Sequence, residues 1–222
     1  MPVDRNSTIE ITAFNWVPKF AQGLVRDVRV RWALEELGLS YRVRLLDATA
    51  TRPADYFCEQ PFGQVPIFTD GDIRMFETGA ILLHLGERGE ALMPRDAVGR
   101  ARTMCWLIAA LNSIEPLLME FANVNIFAKN EEWARLRRPS LMRAIDERLG
   151  RLADALGEKK YLEDRFTVAD LLMTTVLRNL RDTDLVERHD NLAAYKARCE
   201  ARPAFRRALE AQLANFEDRE AA

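Results

Sequence analysis

Glu77 and Thr78 stand directly before an apolar run of helical spacing and are well placed to bind a ligand. The first amides of a helix have no partner within it, and with the helix dipole they attract a carboxylate. The two side chains add one anionic and one hydroxyl partner, so the pair suits an amino-acid head group. The alternative is that both residues only cap the helix.

Cysteine and histidine show no comparable pattern. Cys58, Cys105 and Cys199 are odd in number and widely separated, which argues against a disulfide framework and against a zinc site. Each falls within a helical pattern, so we expect buried, small apolar side chains. His84 and His189 have no partner at metal-ligand spacing. We therefore expect no metal, and a reducing cytoplasm as the location.

The composition is that of a folded protein with balanced charge. Of 222 residues, 48% are hydrophobic and 30% charged, which excludes a disordered or low-complexity chain. The formal net charge of -2 argues against a nucleic-acid-binding protein that depends on a basic field. The chain starts without a signal-peptide pattern, and apolar runs such as 103–111 fall short of the ~20 residues that a bilayer requires. We expect neither a nucleic-acid nor a membrane partner.

Strand and helix periodicities alternate over the first 90 residues and would position Glu77 and Thr78. The predicted elements are, in order, a strand at 9–14, a helix at 24–37 ended by Gly38, a strand at 41–45, a helix at 53–59, a hairpin at 65–75 with an Asp70-Gly71 turn, and the helix that Glu77 opens. The pattern predicts an α/β domain of order βαβαββα over residues 1–90.

The pattern becomes helical throughout after a charged, proline-marked linker at about 91–96. It predicts an all-α helical bundle domain over residues 97–222, with helices near 98–127, 132–156, 168–180, 192–201 and 204–216. The sharpest helix start is Thr167 to Asp170, where a hydroxyl and a carboxylate three residues apart form a capping box. Capping explains Asp170 better than contact with a ligand does.

Three segments resemble a bacterial cytosolic glutathione transferase, and the resemblance extends over nearly the whole chain. They are VRWALEELGLSY at 30–41, GQVPI at 63–67 and FETGAIL at 76–82. The last two are the specific ones, because Val-Pro, an Asp-Gly turn and Glu-Thr-Gly-Ala-Ile are hard to produce by chance in this order and spacing. The family has the same two-domain order.

The resemblance implies a thioredoxin-like N-terminal domain with a cis Val65-Pro66 bond, and glutathione as the co-substrate. Gln64, Val65 and Pro66 would bind glutathione, with the amide and carbonyl of Val65 pairing with its cysteinyl part as an added strand does. Glu77 would bind the ammonium of the γ-glutamyl end, and Thr78 with its amide would bind the carboxylate.

The segment that would activate the glutathione thiol departs from the family pattern. A thiol with a pKa near 8.5 is only ~3% ionised at neutral pH, and most of the family lowers that pKa with a Tyr, Ser or Cys near the first strand–helix junction. Residues 15–27 contain none of these. Three substitutes stay open: an amide hydrogen bond from Asn15, which is our first candidate, the charge of Lys19 or Arg26, or backbone amides near Leu24.

The resemblance implies a transferase of detoxification, which adds the thiolate to a small, apolar electrophile. Trp16, Phe20, Trp106 and Phe121 are candidates to line the electrophile pocket between the domains, although aromatic residues at such spacing are more often core. A homodimer is also implied, with the helices after Glu77 and after Val98 near the interface.

The absent hydroxyl leaves other functions open. These are a glutathione-dependent isomerase, a peroxidase or disulfide reductase, and a non-catalytic glutathione-binding or protein-interaction module. The lack of a Cys-X-X-Cys motif at the junction argues against a two-thiol reductase.

Overall fold

The computed structural model describes residues 3–216, which form two compact units. One unit contains residues 3–92 together with 202–216, and the other contains residues 93–201. The sequence pattern assigned 202–216 to the helical domain, whereas the structure groups this described segment with the N-terminal unit. The helix of this segment packs on the N-terminal unit through a ring contact of Phe205 with Trp32 and through hydrogen bonds such as that of Gln212 to Val25. Helical spacing does not show which unit a helix joins.

The first unit is built on a four-stranded sheet. Its elements are β1 (Ile9–Phe14), α1 (Asp27–Leu37), β2 (Arg42–Leu46), α2 (Tyr56–Glu59), β3 (Phe68–Asp70), β4 (Ile73–Met75), α3 (Thr78–Glu87) and, from the end of the chain, α9 (Pro203–Leu213). The strand order is β2-β1-β3-β4, with β1 parallel to β2 and antiparallel to β3. The predicted βαβαββα order and thioredoxin-like fold are confirmed.

Helix α1 is the most enclosed element of this unit, since residues 27–35 are all buried. It begins three residues later than the periodicity predicted, because Val28 and Arg29 donate to the carbonyls of Val25 and Arg26 in a tighter, three-residue turn. It ends at Gly38, whose φ of 65° lets the amide of Leu39 reach the carbonyl of Leu34 at 3.0 Å.

The predicted hairpin is shorter than its apolar pattern. Strands β3 and β4 pair around a tight turn in which Gly71 has a φ of 58°. Pro66 has no N–H to give a ladder, and Ile67 instead accepts from the amide of Thr12 at 3.0 Å. The residues before β3 therefore form an extended loop beside β1.

The second unit is helical over its described length, apart from an isolated bridge between Glu163 and Arg165. Its α-helices are α4 (Ala97–Ala109), α5 (Glu115–Ala122), α6 (Glu132–Leu156), α7 (Val168–Leu177) and α8 (Asp190–Glu200). Two π-helical segments, Ala110–Ile114 and Asn123–Phe127, extend α4 and α5 into one continuous helix. The first lies just before Pro116, whose ring would clash with a carbonyl of a regular turn.

Helix α7 forms the core of the second unit, because all ten of its residues are buried. The predicted capping box is present at its start. Thr167 Oγ1 accepts from the amide of Ala169 at 3.2 Å, and Asp170 accepts from the amide of Thr167 at 2.9 Å. This confirms Asp170 as a capping residue.

The helix Ala97–Phe127 is long and apolar enough, by length and composition, to cross a membrane. This differs from the expectation drawn from short apolar runs, because α4, α5 and the π-helical segments form one continuous helix. A single helix of this kind is a weak indication of a membrane segment. Only 28% of its most apolar 18-residue window is buried, and Ile108, Ile126 and Phe127 are among its exposed apolar side chains.

The expectation that all three cysteines are buried is wrong for two of them. Cys199 is buried, whereas Cys58 and Cys105 are exposed. Cys58 lies on the outer face of the short helix α2, and Cys105 lies beside the exposed Met104 on α4. Helical spacing identifies a helix here but not the face that is covered.

Candidate functional site

A small, largely polar cleft in the first unit contains the residues that the sequence singled out for ligand binding. Its empty volume, which includes space open to solvent, is ≈ 220 Å³. Its lining residues are Arg26, Gln60, Gln64, Val65, Pro66, Glu77 and Thr78. The cleft thus brings one of the three candidate activating residues together with all five candidate binding residues.

The Val65-Pro66 bond is cis, as the resemblance implied. Two buried hydroxyl groups hold the loop around it: Tyr56 donates to the carbonyl of Gln64 at 2.7 Å, and Thr12 Oγ1 accepts from the amide of Ile67 at 2.7 Å. The two oxygens also lie 3.2 Å apart, so the Thr12 hydroxyl donates to Tyr56. Burial raises the pKa of Tyr56, which keeps its phenol protonated as a donor.

The backbone of Val65 is available to a ligand. Within the part of the chain that the structure describes, no residue hydrogen-bonds its amide or its carbonyl. A donor and an acceptor on one extended residue match the backbone of a peptide that lies alongside.

Glu77 adopts a conformation that is uncommon for a residue with a side chain. It has a φ of 67° and a ψ of 111°, and its carbonyl accepts from the amide of Ile81 at the start of α3. Its exposed side chain makes no capping hydrogen bond. Helix capping therefore does not account for this carboxylate, which lines the cleft, where its charge could attract a cation.

Thr78 lies behind Glu77 and is 5% exposed. Its Oγ1 accepts a hydrogen bond from Arg29 at 3.2 Å, and Arg29 is 2% exposed. Because Arg29 can only donate, the Thr78 hydroxyl proton can be directed elsewhere. A hydroxyl donor beside a helix start, with a guanidinium behind it, favours a bound carboxylate.

Arg26, Asn15 and Lys19 occupy different surroundings. Arg26 is the N-cap residue of α1 and lines the cleft. Asn15 follows β1, where its backbone N–H donates to the carbonyl of Leu46 at 3.0 Å. Lys19 is exposed in a single 3-10 turn. Of the three, only Arg26 is a lining residue of the described cleft.

The aromatic candidates for the electrophile pocket lie on both units. Trp16 is half-buried and Phe20 is 41% exposed, both in the loop after β1. Trp106 on α4 donates its indole N–H to Glu163 at 2.8 Å, and Phe121 on α5 is half-buried. None of the four lines the described cleft.

Sequence reasoning missed four residues of this region: Thr12, Arg29, Tyr56 and Gln60. Gln60 is buried, and its Oε1 accepts from the amide of Phe62 at 2.5 Å, which shapes the loop before the cis bond. Arg29 gives the one usable signal, since it lies three residues before Trp32 and so on the same face of a predicted helix. Thr12, Tyr56 and Gln60 become partners of the loop only through the fold.

The charges of the cleft match a zwitterion. Glu77 provides a negative charge, and Arg26 and the buried Arg29 provide positive ones. Among the described residues, no group of three or more His, Cys, Asp or Glu side chains could hold a metal ion. The arrangement can bind an amino-acid head group and an extended peptide backbone.

Comparisons with known proteins match both halves of the chain to one family. Residues 13–87 match the glutathione S-transferase N-terminal domain, and residues 117–212 match the glutathione S-transferase C-terminal domain. A glutathione S-transferase from Hyoscyamus muticus is 29% identical over 162 residues, with 68% of this chain and 76% of that protein covered.

Two further relatives cover more of the chain. Glutathione S-transferase 3 from Zea mays is 30% identical over 207 residues, which are 83% of this chain and 88% of that protein. A glutathione transferase family member from Pseudomonas fluorescens pf-5, solved with two glutathione bound, has a TM-score of 0.80 at 22% identity and covers 91% of this chain and 92% of its own. The matched domains and the long alignment with the maize protein place this chain in the glutathione S-transferase family.

Proposed function

We propose that this protein is a glutathione transferase that lowers the pKa of the glutathione thiol and adds the thiolate to a small, apolar electrophile. The observation that carries the proposal is the cleft that combines the cis-proline loop with the start of α3. The glutathione bound in the Pseudomonas relative supports the choice of co-substrate.

Glutathione binds with its γ-glutamyl end at the start of α3. Glu77 accepts from the ammonium, and the Thr78 hydroxyl and amide donate to the carboxylate. The cysteinyl part pairs with the amide and carbonyl of Val65, and Gln64 lies beside it in the same cleft. The thiol then points toward the start of α1.

Arg26 is the proposed thiol-activating residue, ahead of Asn15 and Lys19, because it is the one of the three that lines the cleft. A guanidinium is always charged, so it stabilises the thiolate and takes no proton. The thiol proton passes to water, and the thiolate sulfur forms a bond to the electrophilic carbon. Trp16, Phe20, Trp106 and Phe121 stay proposed contacts of that electrophile.

The thiolate absorbance of bound glutathione, titrated against pH, tests the proposal. We expect the pKa of the bound thiol to lie clearly below that of free glutathione. Arg26→Ala should raise the bound thiol pKa most of the way to the value of free glutathione. Lys19→Ala is the matched control, because it removes an exposed cation of the same loop. Bound glutathione with an unshifted thiol pKa would contradict the transferase activity.

A separate variant tests the binding site itself. Glu77→Ala should weaken glutathione affinity at least tenfold, since it removes the only proposed partner of the ammonium. Isothermal titration calorimetry measures the effect, with Glu87→Ala at the other end of α3 as the control. An unchanged affinity would remove the basis of the site.

A non-catalytic glutathione-binding module is the second candidate. Among the lining residues only Thr78 has a hydroxyl, and this hydroxyl accepts a hydrogen bond from Arg29. The described cleft therefore has no second hydroxyl that could lower the pKa of the thiol, which favours this candidate. Binding without a shift of the thiol pKa is the result that would support it over the transferase, and over isomerase or reductase activity.

We also propose a cytoplasmic homodimer. The exposed Ile108, Ile126 and Phe127 on the helix Ala97–Phe127 give an apolar surface that a second copy would cover. Sedimentation should give twice the monomer mass, and Ile108→Glu should shift it toward one monomer.

A further inference from the structure

The C-terminal helix α9 packs along α1 and contacts both of its ends. At the far end, Arg202 forms two hydrogen bonds with Glu36, at 2.6 and 2.7 Å, and Arg207 bonds Glu35 at 2.6 Å. Trp32 and Phe205 add a ring contact with centroids 4.7 Å apart. These bonds lie away from the residues that line the cleft.

At the near end, Gln212 bonds the chain on both sides of Arg26. Its Nε2 donates to the carbonyl of Val25 at 2.9 Å and to Asp27 Oδ1 at 2.5 Å. Gln212 is 1% exposed, and its Oε1 has no partner within the described residues. The side chain is therefore held by its two donor bonds, which fix the backbone on either side of Arg26.

Arg31 completes a buried polar cluster, which we define as Asp27, Arg31, Gln212 and Asn215. Its Nε donates to Asp27 Oδ2 at 2.7 Å, and its Nη2 donates to Asn215 Oδ1 at 2.6 Å. The side chains of Arg31 and Asp27 are 0% and 1% exposed. With both carboxylate oxygens bonded, Asp27 has little freedom to move independently of α9.

We propose that Gln212 is a positioning residue, which fixes the start of α1 so that Arg26 faces bound glutathione. The inference rests on the proposed function, because it assigns Gln212 an effect on glutathione through Arg26. It gives the C-terminal helix a part in a site to which it contributes no lining residue.

Gln212→Met tests the inference, because methionine keeps most of the volume and removes both donors. We expect about tenfold weaker glutathione binding by calorimetry and a bound thiol pKa closer to that of free glutathione. The matched control is Arg207→Ala, which removes a bond of the same helix to the far end of α1 and should change affinity less than about twofold. Amide exchange of Val28 and Arg29 should speed up in Gln212→Met alone.

Combining each variant with Arg26→Ala separates the possible failures. If Gln212 acts through Arg26, Gln212→Met causes no further loss of affinity once Arg26 is absent. The inference is overturned if the loss persists in full there, or if Gln212→Met behaves like Arg207→Ala while Arg26→Ala alone weakens binding. An Arg26→Ala variant with unchanged affinity and thiol pKa would instead overturn the proposed role of Arg26, and this inference with it.

Should Gln212→Met fail to fold, Gln212→Asn keeps the amide and shortens its reach by one methylene. It should give a smaller loss of affinity in the same direction, and no loss would count against the inference.

Discussion

The first turns of α1 and α7 each bury an aspartate, but different parts of the chain hold the two carboxylates. Asp170 of α7 accepts from the amides of Leu162 and Thr167, both at 2.9 Å, and from the Tyr195 hydroxyl at 3.1 Å. Asp27 of α1 is bonded by Arg31 one turn ahead and by Gln212, which is 185 residues away. The partners that hold the start of α7 lie no more than 25 residues from Asp170, whereas the start of α1 depends on Gln212, 185 residues from Asp27.

The difference also concerns charge. Burial raises the pKa of both aspartates, and hydrogen bonds lower each pKa again in part. The bonding partners of Asp170 are neutral donors, whereas Asp27 has the guanidinium of Arg31. Asp170 and its neutral partners are not among the residues that line the cleft, whereas Asp27 adjoins Arg26, which we propose to act on glutathione.

Asp170→Ala should have the largest effect on stability. It leaves the buried amides of Leu162 and Thr167 and the Tyr195 hydroxyl without their acceptor, which should cost about 3–5 kcal/mol of unfolding free energy. Urea denaturation followed by circular dichroism measures the loss.

Asp96→Ala is the control for that variant, because Asp96 is an exposed N-cap with one bond, to the amide of Gly99. It should cost about 1 kcal/mol. Equal losses in the two variants would mean that the buried cluster around Asp170 adds nothing to ordinary capping.

Arg31→Met should have the next largest effect, because it leaves Asp27 as a buried carboxylate without its cation. We expect a loss of about 3 kcal/mol at pH 7. Burial raises the pKa of Asp27 above 3.8, so its contribution to stability is fully present below about pH 3.8 and falls as pH rises through the folded-state pKa.

The charge of Arg31 opposes this rise in pKa, and removing it raises the pKa of Asp27 further. The unfolding free energy that Arg31→Met loses relative to the parent protein should therefore be largest at neutral pH and smaller at acidic pH. In an Asp27→Asn background the pH dependence of this deficit should disappear. A deficit that is constant with pH would show that the variant acts through packing alone.

The contrast between these helix starts also marks how much of the fold could be predicted. Strand β1 and helix α6 begin and end at the predicted residues, because the alternation of the strand and the apolar spacing of the helix are clear, even though α6 contains Pro139. The capping box was predictable because Thr167 and Asp170 are three residues apart, so the geometry of one helical turn brings them together.

The remote contacts could not be predicted in this way. Nothing in the residues around Gln212 indicates that it bonds Asp27. Helix α1 begins at residue 27 and not at the predicted residue 24, because tight turns precede it. Glu77 and Thr78, which line the cleft, could be singled out because the start of a helix has a local signal and because Val65-Pro66 precedes them at the spacing of the family motif. The position of Arg26 in the cleft could not be predicted, since charge alone does not show which face of a loop a side chain occupies.

Arg29→Met extends the comparison to a third helix start, that of α3. It removes the donor to Thr78 and should weaken glutathione affinity about fivefold to tenfold, because the carboxylate site loses both a charge and the orientation of its hydroxyl. The affinity losses of Arg29→Met and Thr78→Val should not add in the double variant. Additive losses would mean that Arg29 acts without Thr78.

Glu77→Gly has the smallest expected effect on stability, and it separates stability from binding, because it should raise the unfolding free energy while it lowers the glutathione affinity. Glu77 has a φ of 67°, which costs glycine less than a residue with a Cβ, so Glu77→Gly should raise the unfolding free energy by up to about 1 kcal/mol, less the added entropy of the unfolded chain. The same variant should lose at least tenfold in glutathione affinity, because no carboxylate is left to bind the ammonium.

Asp164→Gly is the matched control. Asp164 has a φ of 61° in the second unit, so stability should rise by a similar amount with glutathione affinity unchanged. A Glu77→Gly variant that unfolds more easily would show that the Glu77 side chain stabilises α3, and the conformation at this helix start would then need no explanation from ligand binding.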